Sequence, residues 1–289
     1  MSLASIHRYP VKSLQGESLG ESALLPNGVA GDRCWAVRDE ARGGIRGAKV
    51  LHELMHFAAA YDANANVAMA AGVGRVLNAT ITLPNGETYR SNDPNINETL
   101  SAALDHPVTL WPLQPAHDED HYRRGAPILS DPEQEFRRLF ARGDDLPLPD
   151  LSVFPPELAE FESPPGTYFD AYPILLCTTG SLARVQQAHA GVDDQVAIDM
   201  RRFRPNLVIE TDDDERQFAG RRARLGACEL KFEIPCPRCI MTTLPFADLD
   251  KDPKIMRTLV TGFGGDFGIY ASVAVPGDVR VGDELVWLD

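Results

Sequence analysis

The N-terminal part of the chain alternates apolar and polar residues over short segments, which clusters of turn-forming residues separate. Alternation with a period of two is typical of strands that bury one face. Pro84, Asn85 and Gly86 join two such segments, and an Asn-Gly pair tolerates the positive φ angles of a tight hairpin. The pattern predicts strands at Leu3–Tyr9, Glu17–Leu25, Arg33–Asp39, Arg75–Leu83, Glu87–Arg90 and Val108–Leu113.

Capping residues indicate three helices between the strands. Asp93 suits the N-cap of a helix, and Pro94 suits the first helical position, because the N–H group that proline lacks has no partner within the helix there. Asp131 and Pro132 occur in the same order. The predicted helices run from Asp93 to about Leu104, from Ser130 to Gly143 and from Ser181 to His189.

The second half of the chain is also rich in strands. Six prolines between residues 146 and 166 favour an extended surface connection, because proline neither donates to a ladder nor continues a helix. The acidic run Asp212–Glu215 is predicted to cap a solvated turn. Further strands are predicted at Tyr172–Cys177, Asn206–Glu210, Leu225–Ile234, Phe267–Val275 and Glu284–Leu288.

These elements predict a β-rich α+β protein with two domains. A chain of 289 residues has the length of about two domains. The polar stretch His117–Arg124 is the predicted boundary, which gives domains of residues 1–124 and 125–289.

Charge and cysteine content narrow the choice of partners and compartment. The chain has 42 acidic and 28 basic residues, and the net charge of −14 disfavours binding to nucleic acid or to anionic membranes. The N-terminus lacks the apolar segment of a secretory signal, and no apolar run approaches the roughly 20 residues of a membrane span. Five cysteines, an odd number, argue against a disulfide framework. We therefore expect a cytoplasmic protein with neither nucleic acid nor membrane as a partner.

The segment His52–His56 matches the zinc-binding pattern H-E-x-x-H. On an α-helix, histidines four residues apart share a face and can bind zinc, while the intervening glutamate polarises a water. Asp62 occupies the position of a possible third ligand. Apolar residues surround the motif and fit a buried structural element equally well, so a zinc hydrolase and a purely structural segment both remain open.

Cys236 and Cys239 form a C-x-x-C pair directly after a predicted strand. The pair admits four interpretations, namely half of a zinc site, a redox dithiol, one thiolate ligand for a soft metal, or two structural cysteines. No second pair completes four zinc ligands, and a redox dithiol normally begins a helix. Arg238 between the cysteines favours the thiolate over the thiol.

Basic residues stand at two predicted strand ends. Residues 201–204 include three arginines, and the simplest interpretation is a basic turn exposed to solvent. Arg204 differs because Pro205 fixes the approach to the strand, so that Arg204 and Asn206 present a guanidinium and an amide to a phosphate and a heterocycle edge. Lys12 and Ser13 follow the first predicted strand in a chain with only five lysines.

Five segments of the chain form a set in fixed order: YPVKSLQG at 9–16, GDRCWAV at 31–37, FRPNLVI at 203–209, PCPRCIMTT at 235–243, and the closing FGIY with VPGDVRVGDELVWL. Together they resemble the MOSC-domain proteins with an N-terminal MOSC β-barrel, among them the amidoxime-reducing component family. The resemblance covers the whole chain. It implies an N-terminal MOSC-type β-barrel domain followed by a MOSC β-barrel domain, with a molybdenum cofactor (molybdopterin and its metal) held between them.

The resemblance also implies roles for individual residues. It makes the thiolate of Cys239 the metal ligand at the catalytic centre. It assigns binding of the pterin and its phosphate to Lys12, Ser13, Arg33, Arg204, Asn206 and Arg238. The chain departs from the family pattern where Pro237 replaces a serine and where Ala171 and Tyr172 replace two hydroxyl residues.

The function implied by the resemblance is oxygen removal from N-hydroxylated small molecules. Electrons would come from a separate electron-transfer protein, because the chain has no cysteine cluster for an iron–sulfur centre and no flavin or nicotinamide signature. The alternative is a cofactor or sulfur carrier in which Cys239 holds a persulfide without turnover. Pyridoxal phosphate is not expected, since the chain is too short to hold a sulfurase domain as well.

Replacing Arg204 or Lys12 by alanine should weaken cofactor retention, because each change removes a charged hydrogen bond to phosphate. Such a bond is worth about 1.5–3 kcal/mol, which corresponds to roughly tenfold to hundredfold weaker binding. We expect little change in the stability of the cofactor-free protein, and much smaller effects from Arg201→Ala and Arg202→Ala. Molybdenum and pterin content and the melting temperature measure these effects. Lys12 and Arg204 on opposite surfaces of the protein would contradict the prediction.

Overall fold

The computed structural model describes residues 1–62, 75–191 and 197–288, and strands dominate it. In chain order the strands are β1 Ser2–Arg8, β2 Glu17–Leu19, β3 Glu21–Leu25, β4 Gly28–Val29, β5 Trp35–Asp39, β6 Ile45–Arg46, β7 Ala58–Ala60, β8 Thr80–Thr82, β9 Thr88–Arg90, β10 Val108–Pro112, β11 Ile174–Thr178, β12 Leu207–Glu210, β13 Arg222–Leu225, β14 Cys228–Pro237, β15 Asp266–Val275, β16 Gly277–Arg280 and β17 Leu285–Trp287.

Helices fill the connections between the strands. Within the described residues the α-helices are α1 Ile96–Leu104, α2 Glu119–Tyr122, α3 Pro132–Phe140, α4 Thr179–Ala190 and α5 Lys254–Phe263. Short 3-10 helices are found at His52–His56, Pro156–Ala159, Met200–Phe203, Glu215–Phe218 and Ile240–Thr243. No helix in the described ranges is long and apolar enough to cross a membrane.

An eight-stranded sheet joins strands from both ends of the chain. Its order is β17-β13-β14-β15-β11-β12-β1-β2, in which β11 and β12 run parallel. β1 lies antiparallel to β12, with Ile6 opposite Leu207 and Leu3 opposite Ile209. All four side chains are buried in one apolar cluster. Burial of these side chains therefore fixes the first strand against the second half of the chain.

Three smaller sheets complete the structure, with strand orders β10-β5-β6, β16-β3-β4 and β7-β8-β9. The buried apolar side chains of the sheet β16-β3-β4 belong mainly to the first apolar cluster. A second apolar core lies under the other two sheets and includes Val37 and Ile81. Met241, Leu244 and Phe246 belong to the same core although they follow the C-x-x-C pair in sequence. The segment after the two cysteines is consequently packed against the N-terminal part of the protein.

The predicted β-rich α+β class is confirmed, and each predicted strand overlaps an observed one. The segment Glu17–Leu25 is two strands, which separate at Gly20. Leu225 ends β13, and Gly226 at φ 56° turns the chain into β14. β16 and α5 were not predicted. For α5 the sequence does contain a helix-start signal, since Asp252 accepts a hydrogen bond from the Lys254 N–H at 2.9 Å.

The observed helix ends differ from the predicted ones by a few residues. Asp131 caps α3 as predicted and accepts hydrogen bonds from two N–H groups of the first turn. α3 ends at Phe140 rather than at Gly143, and the next residue, Ala141, has the left-handed conformation. Asp93 accepts from the N–H of Asn95 in a turn that precedes α1, and this turn delays the helix start to Ile96.

The acidic run Asp212–Glu215 is not entirely solvated, which corrects the prediction. Asp214 caps the following 3-10 helix, but Glu215 is only 1% exposed. Its carboxylate accepts hydrogen bonds from the Thr178 hydroxyl at 2.6 Å and from the Gly268 N–H at 2.7 Å. Glu215 thus connects β11 and β15 from the inside.

Glu215→Ala should lower the free energy of unfolding by about 2–4 kcal/mol, because two buried donors lose their acceptor. Asp213→Ala, two positions earlier at an exposed site, should change it by less than about 0.5 kcal/mol. Urea unfolding of the two variants measures the difference. Equal effects would show that Glu215 contributes no more than a surface carboxylate.

Candidate functional site

One cavity of about 440 Å³ brings together every residue that was predicted to form the site. Four separate stretches of chain contribute them: the turn after β1, the loop before β5, the entrance to β12 and the end of β14. The residues are Lys12, Ser13, Arg33, Arg204, Asn206, Arg238 and Cys239. Lys12 and Arg204 therefore share one cavity with Cys239. The binding roles that the resemblance implies for these residues stay predictions.

Three of these residues have unusual backbone conformations. Ser13, Arg33 and Arg204 have φ angles of 71°, 48° and 55°, in the left-handed region that residues with a side chain rarely adopt. Such conformations cost about 1–3 kcal/mol each and are concentrated at functional sites. The strained backbone at three lining positions therefore supports a functional role for the cavity.

Arg204 and Arg33 both contact the ring of Tyr9. The Arg204 guanidinium lies 4.2 Å from the ring centroid and the Arg33 guanidinium 5.2 Å. Arg204 also donates to the Leu14 carbonyl at 2.7 Å, and Arg33 pairs with Asp32. Burial lowers the pKa of Arg204 to about 10, so the side chain is still charged at neutral pH.

Lys12 is tied into the protein by all of its donors. The ammonium donates to the Asp170 carboxylate at 2.7 Å, the Tyr168 carbonyl at 2.8 Å and the Ser163 hydroxyl at 3.1 Å. These bonds link the turn after β1 to the segment before β11. Removal of Lys12 would take away a donor from these three acceptors, so it should lower the stability of the cofactor-free protein. This corrects the expectation that Lys12→Ala changes that stability little.

Lys49 and Asp170 line the same cavity and were not identified from the sequence. Asp170 lies 3.4 Å from the Lys49 ammonium through its second oxygen, so it bridges two lysines. Burial would raise the pKa of Asp170, but Lys12 and Lys49 outweigh it and hold the pKa well below its usual range. No local sequence pattern marks either residue, since each is defined by contacts between distant segments.

The two cysteines occupy different environments. Cys236 is buried, and burial raises the pKa of its thiol. Arg238 donates to the Cys236 sulfur at 3.0 Å and to the Phe203 carbonyl at 2.8 Å, while its buried Nε has no partner among the described residues. Both cysteines line the cavity, but Cys239 is only partly buried. Cys239 is consequently the thiol better placed to meet a ligand.

Asn206 uses both ends of its amide within the protein. The oxygen accepts from the Leu175 N–H at 3.2 Å and from Arg33 at 3.3 Å, and the nitrogen donates to the His7 carbonyl at 3.3 Å. These bonds connect β12 with β11 and β1. The side chain therefore helps to build the cavity wall in addition to lining it.

Arg201 and Arg202 behave differently from each other. Arg201 is exposed and pairs with Asp199 and Asp248, as a solvated turn predicts. Arg202 is buried and donates to the carbonyls of Thr242, Leu244 and Asp250. The prediction of a solvated basic turn is wrong for Arg202, which holds the segment that follows Cys239.

The segment His52–His56 is a 3-10 helix rather than an α-helix. At three residues per turn, side chains four positions apart point about 120° away from each other, so the two histidines do not share a face. Leu54 and Met55 between them are buried in the N-terminal core. Nowhere in the described ranges do three or more His, Cys, Asp or Glu side chains come together as a possible metal site. This geometry favours the structural interpretation.

The proline-rich connection also lines the cavity, which the sequence did not indicate. Phe154 contacts Tyr270 edge to face at 6.2 Å between ring centroids, and Tyr172 lies 5.5 Å from the same ring. Leu151 and Leu158 from the same connection line the cavity as well. The cavity thus has an apolar, aromatic side as well as a charged one.

The charge of the cavity is opposite to that of the protein. Among its described lining residues are six basic side chains and two carboxylates, while the whole chain has a net charge of −14. Gly47 lets its backbone approach Ser13 closely, since a Cβ at this position would lie only 2.6 Å from the Ser13 hydroxyl. Excess positive charge, an accessible thiol and a buried guanidinium Nε that has no partner in the described part of the chain suit an anionic ligand that also carries a soft metal.

Comparison with known families matches both halves of the chain. Residues 1–105 match the MOSC N-terminal beta barrel domain, and residues 164–286 match the MOSC domain. The predicted order of the two domains is therefore confirmed. The boundary predicted between residues 124 and 125 lies between the matched ranges and stays a prediction.

Individual relatives match smaller parts of the chain. Mitochondrial amidoxime reducing component 2 of Homo sapiens is 30% identical over 131 residues, which cover 41% of this chain and 38% of that protein. Molybdenum cofactor sulfurase of Bombyx mori is 37% identical over 73 residues, which cover 25% of this chain and 9% of that protein. The matched segments thus span less than two fifths of either curated relative.

A solved structure, that of the YUAD protein from Bacillus subtilis, aligns with 98% of this chain and 93% of its own. The identity is 12% and the TM-score 0.43.

Asp170 should make the stability of the protein depend on pH in the acid range. Its pKa in the folded protein lies below the unfolded value of about 3.9, so the ionised form stabilises the fold above about pH 4, and this stabilisation is lost as the pH falls further. Asp170→Asn cannot be protonated there. We expect a constant gap in unfolding free energy between wild type and variant above about pH 5, which narrows below about pH 4. Urea unfolding across this range measures the gap, and a gap independent of pH would contradict the assignment.

Proposed function

The chain belongs to the MOSC-domain proteins, with their N-terminal beta barrel domain ahead of the MOSC domain, and on this premise we propose that its cavity binds a molybdenum cofactor. We further propose that the protein reduces N-hydroxylated small molecules with electrons from a separate redox protein. Two electrons and two protons then convert each N–OH group to N–H and release water. The observation that carries the proposal is the single cavity shared by seven residues from four distant stretches of chain.

The residues of the cavity fit the cofactor. Arg33, Arg204 and Arg238 supply guanidinium groups that suit a phosphate and the polar edge of a pterin. The Arg238 Nε–H is buried without a partner in the described structure and is available to donate a hydrogen bond to a ligand atom. Cys239 supplies a thiolate, which is a suitable ligand for a soft metal. The bound cofactor would supply two-electron redox chemistry at molybdenum.

The protein's own side chains would prepare the cavity for that chemistry. The aromatic side formed by Phe154, Tyr172 and Tyr270 excludes water from part of the cavity and strengthens electrostatic interactions inside it. Asp170 remains ionised at neutral pH, so it accepts hydrogen bonds there and does not donate a proton. Arg202 fixes the backbone after Cys239 and thereby limits movement of the thiol.

A carrier without turnover is the second candidate function. Cys239 is partly exposed in the cavity, as a thiol that holds a persulfide would need to be. Relatives named molybdenum cofactor sulfurase match part of the same chain, which also supports this candidate. Catalytic turnover distinguishes a reductase from a carrier.

The decisive experiment uses protein made in a host that synthesises the cofactor. Elemental analysis and the fluorescence of the oxidised pterin test for binding, and a benzamidoxime-type substrate with an artificial electron donor tests for reduction. Bound molybdenum with turnover supports the reductase, whereas bound molybdenum and a Cys239 persulfide without turnover support the carrier. Zinc without molybdenum would overturn both.

Cys239→Ser should preserve the fold and abolish reductase activity, because the hydroxyl is a poor ligand for a soft metal. Cys236→Ser should be tolerated better, because a serine oxygen can still accept the hydrogen bond of Arg238. Turnover, molybdenum content and the melting temperature of both variants measure the difference. Equal loss of metal and activity in both would favour a dithiol site instead.

A further inference from the structure

We infer that the apolar side of the cavity is a specificity pocket, which selects substrates by the part of the molecule that does not react. Leu151, Phe154 and Leu158 of the proline-rich connection contact an apolar ring of the substrate there. The protein consequently prefers ring-bearing N-hydroxylated molecules to short ones. The reacting group rests on the proposed function, whereas the pocket rests on the contacts of the described residues.

The charged side and the apolar side of the cavity suit different molecules. The three arginines that were predicted to bind the cofactor line the charged side, which suits an anionic group. The side chains of Leu151, Phe154 and Leu158 line the other side and offer neither charge nor hydrogen bond. A polar group placed against them would lose water without gaining a partner, so this side suits an apolar group.

Aromatic contacts connect the apolar side with the cysteine pair. The Phe154 ring meets the Tyr270 ring edge to face, at 6.2 Å between the centroids. The Tyr270 side chain forms a hydrogen bond with Cys236, whose sulfur also accepts from Arg238 at 3.0 Å. Cys239 follows three positions after Cys236 and lines the same cavity. A ring that packs against Phe154 therefore shares one cavity with the proposed metal ligand, where an N-hydroxyl group attached to the ring can react.

The proline-rich connection is restrained where it forms the wall of the cavity. Arg124 bonds it twice, since its N–H donates to the Glu160 carbonyl at 3.1 Å and its guanidinium donates to the Leu158 carbonyl at 2.7 Å. The two residues after Phe154 are prolines, whose rings fix their φ angles. These restraints reduce the conformational entropy that the wall can lose when a ring packs against it.

The wall presents apolar surface that the protein itself leaves uncovered. Leu151 is 36% exposed, and Phe154 and Leu158 are half-buried. A ring that covers these side chains removes apolar surface of both molecules from water, and the gain grows with the area covered. A hydrophobic pocket distinguishes groups that differ by one methylene by about tenfold or more, so a ring and a methyl group should differ at least as much.

The wall lies outside both ranges that match the family domains. Leu151, Phe154 and Leu158 fall between residues 105 and 164, whereas every residue predicted to bind the cofactor falls within one of the two matched ranges. Cofactor binding and substrate selection are thus assigned to different parts of the chain. The preference of this protein for a substrate can consequently differ from that of relatives with the same two domains.

The test uses two substrates that share the reacting group, namely benzamidoxime with a phenyl ring and acetamidoxime with a methyl group. The protein is made in a host that synthesises the cofactor, and kcat/KM is measured for both substrates with an artificial electron donor. Because both values come from one preparation, their ratio does not depend on the fraction of protein that holds the cofactor. We expect the wild type to favour benzamidoxime by about tenfold or more.

Phe154→Ala should lower this ratio by about fivefold or more and Leu151→Ser by about twofold or more, because each removes apolar contact area. Val153→Ala is the matched control, since Val153 is 54% exposed and is not among the described residues that line the cavity. Its ratio should equal that of the wild type. Melting temperatures show which variants are folded, and the exposed position of Leu151 keeps the test valid if Phe154→Ala unfolds.

Equal kcat/KM for the two substrates in the wild type, or an unchanged ratio in the folded variants, overturns the inference. If the wild type reduces neither substrate, the proposed function fails, and calorimetric titration with the same two compounds decides whether the pocket exists. Tighter binding of benzamidoxime than of acetamidoxime, weakened in Leu151→Ser or Phe154→Ala but not in Val153→Ala, supports the inference. Equal binding of the two compounds, no binding, or binding that the variants leave unchanged rejects it.

Discussion

Asp170 is the group on which the charged side of the cavity depends. Two lysines reach the same small volume, and their repulsion in a medium of low dielectric would force them apart without a shared counter-ion. One oxygen of the Asp170 carboxylate pairs with Lys12 and the other with Lys49. Nearby, the Asp32 carboxylate pairs with Arg33. Arg124 pairs with Glu162, whereas Arg204 and Arg238 have no carboxylate partner among the described residues, so the cavity keeps an excess of positive charge. That excess selects anionic ligands in a protein whose surface otherwise repels them.

The cavity is assembled by the same bonds that hold the two halves of the chain together. The pairing of β1 with β12 brings the turn after β1 to the entrance of β12. Side chains then bond the backbone of the opposite segment, as Arg204 does with the Leu14 carbonyl and the Tyr9 hydroxyl with the Pro205 carbonyl. Residues that line the cavity therefore also hold the two halves of the chain together.

The sequence predicted what local rules determine and missed what distant contacts determine. Strand alternation and the Asp131 cap express periodicity and hydrogen bonding within a few residues, and both were found in the structure. Lys49 and Asp170 carry no such signal, because their pairing exists only once two loops about 120 residues apart in sequence have been brought together. Glu215 and Arg202 were taken for solvated charges because local polarity does not reveal a partner buried elsewhere. The start and end signals of α5 were present at Asp252 and Gly264 and were overlooked.

The packing of Met241, Leu244 and Phe246 into the N-terminal core has a consequence for how this protein can evolve. The thiol of Cys239 stands on a segment whose apolar anchors lie in the other domain, so the two domains are not exchangeable modules. A recombination event that replaced one of them by a distant counterpart would leave these three side chains without a matching cavity. Natural selection then acts on the two domains as one inherited unit, even where each is recognisable as a family in its own right.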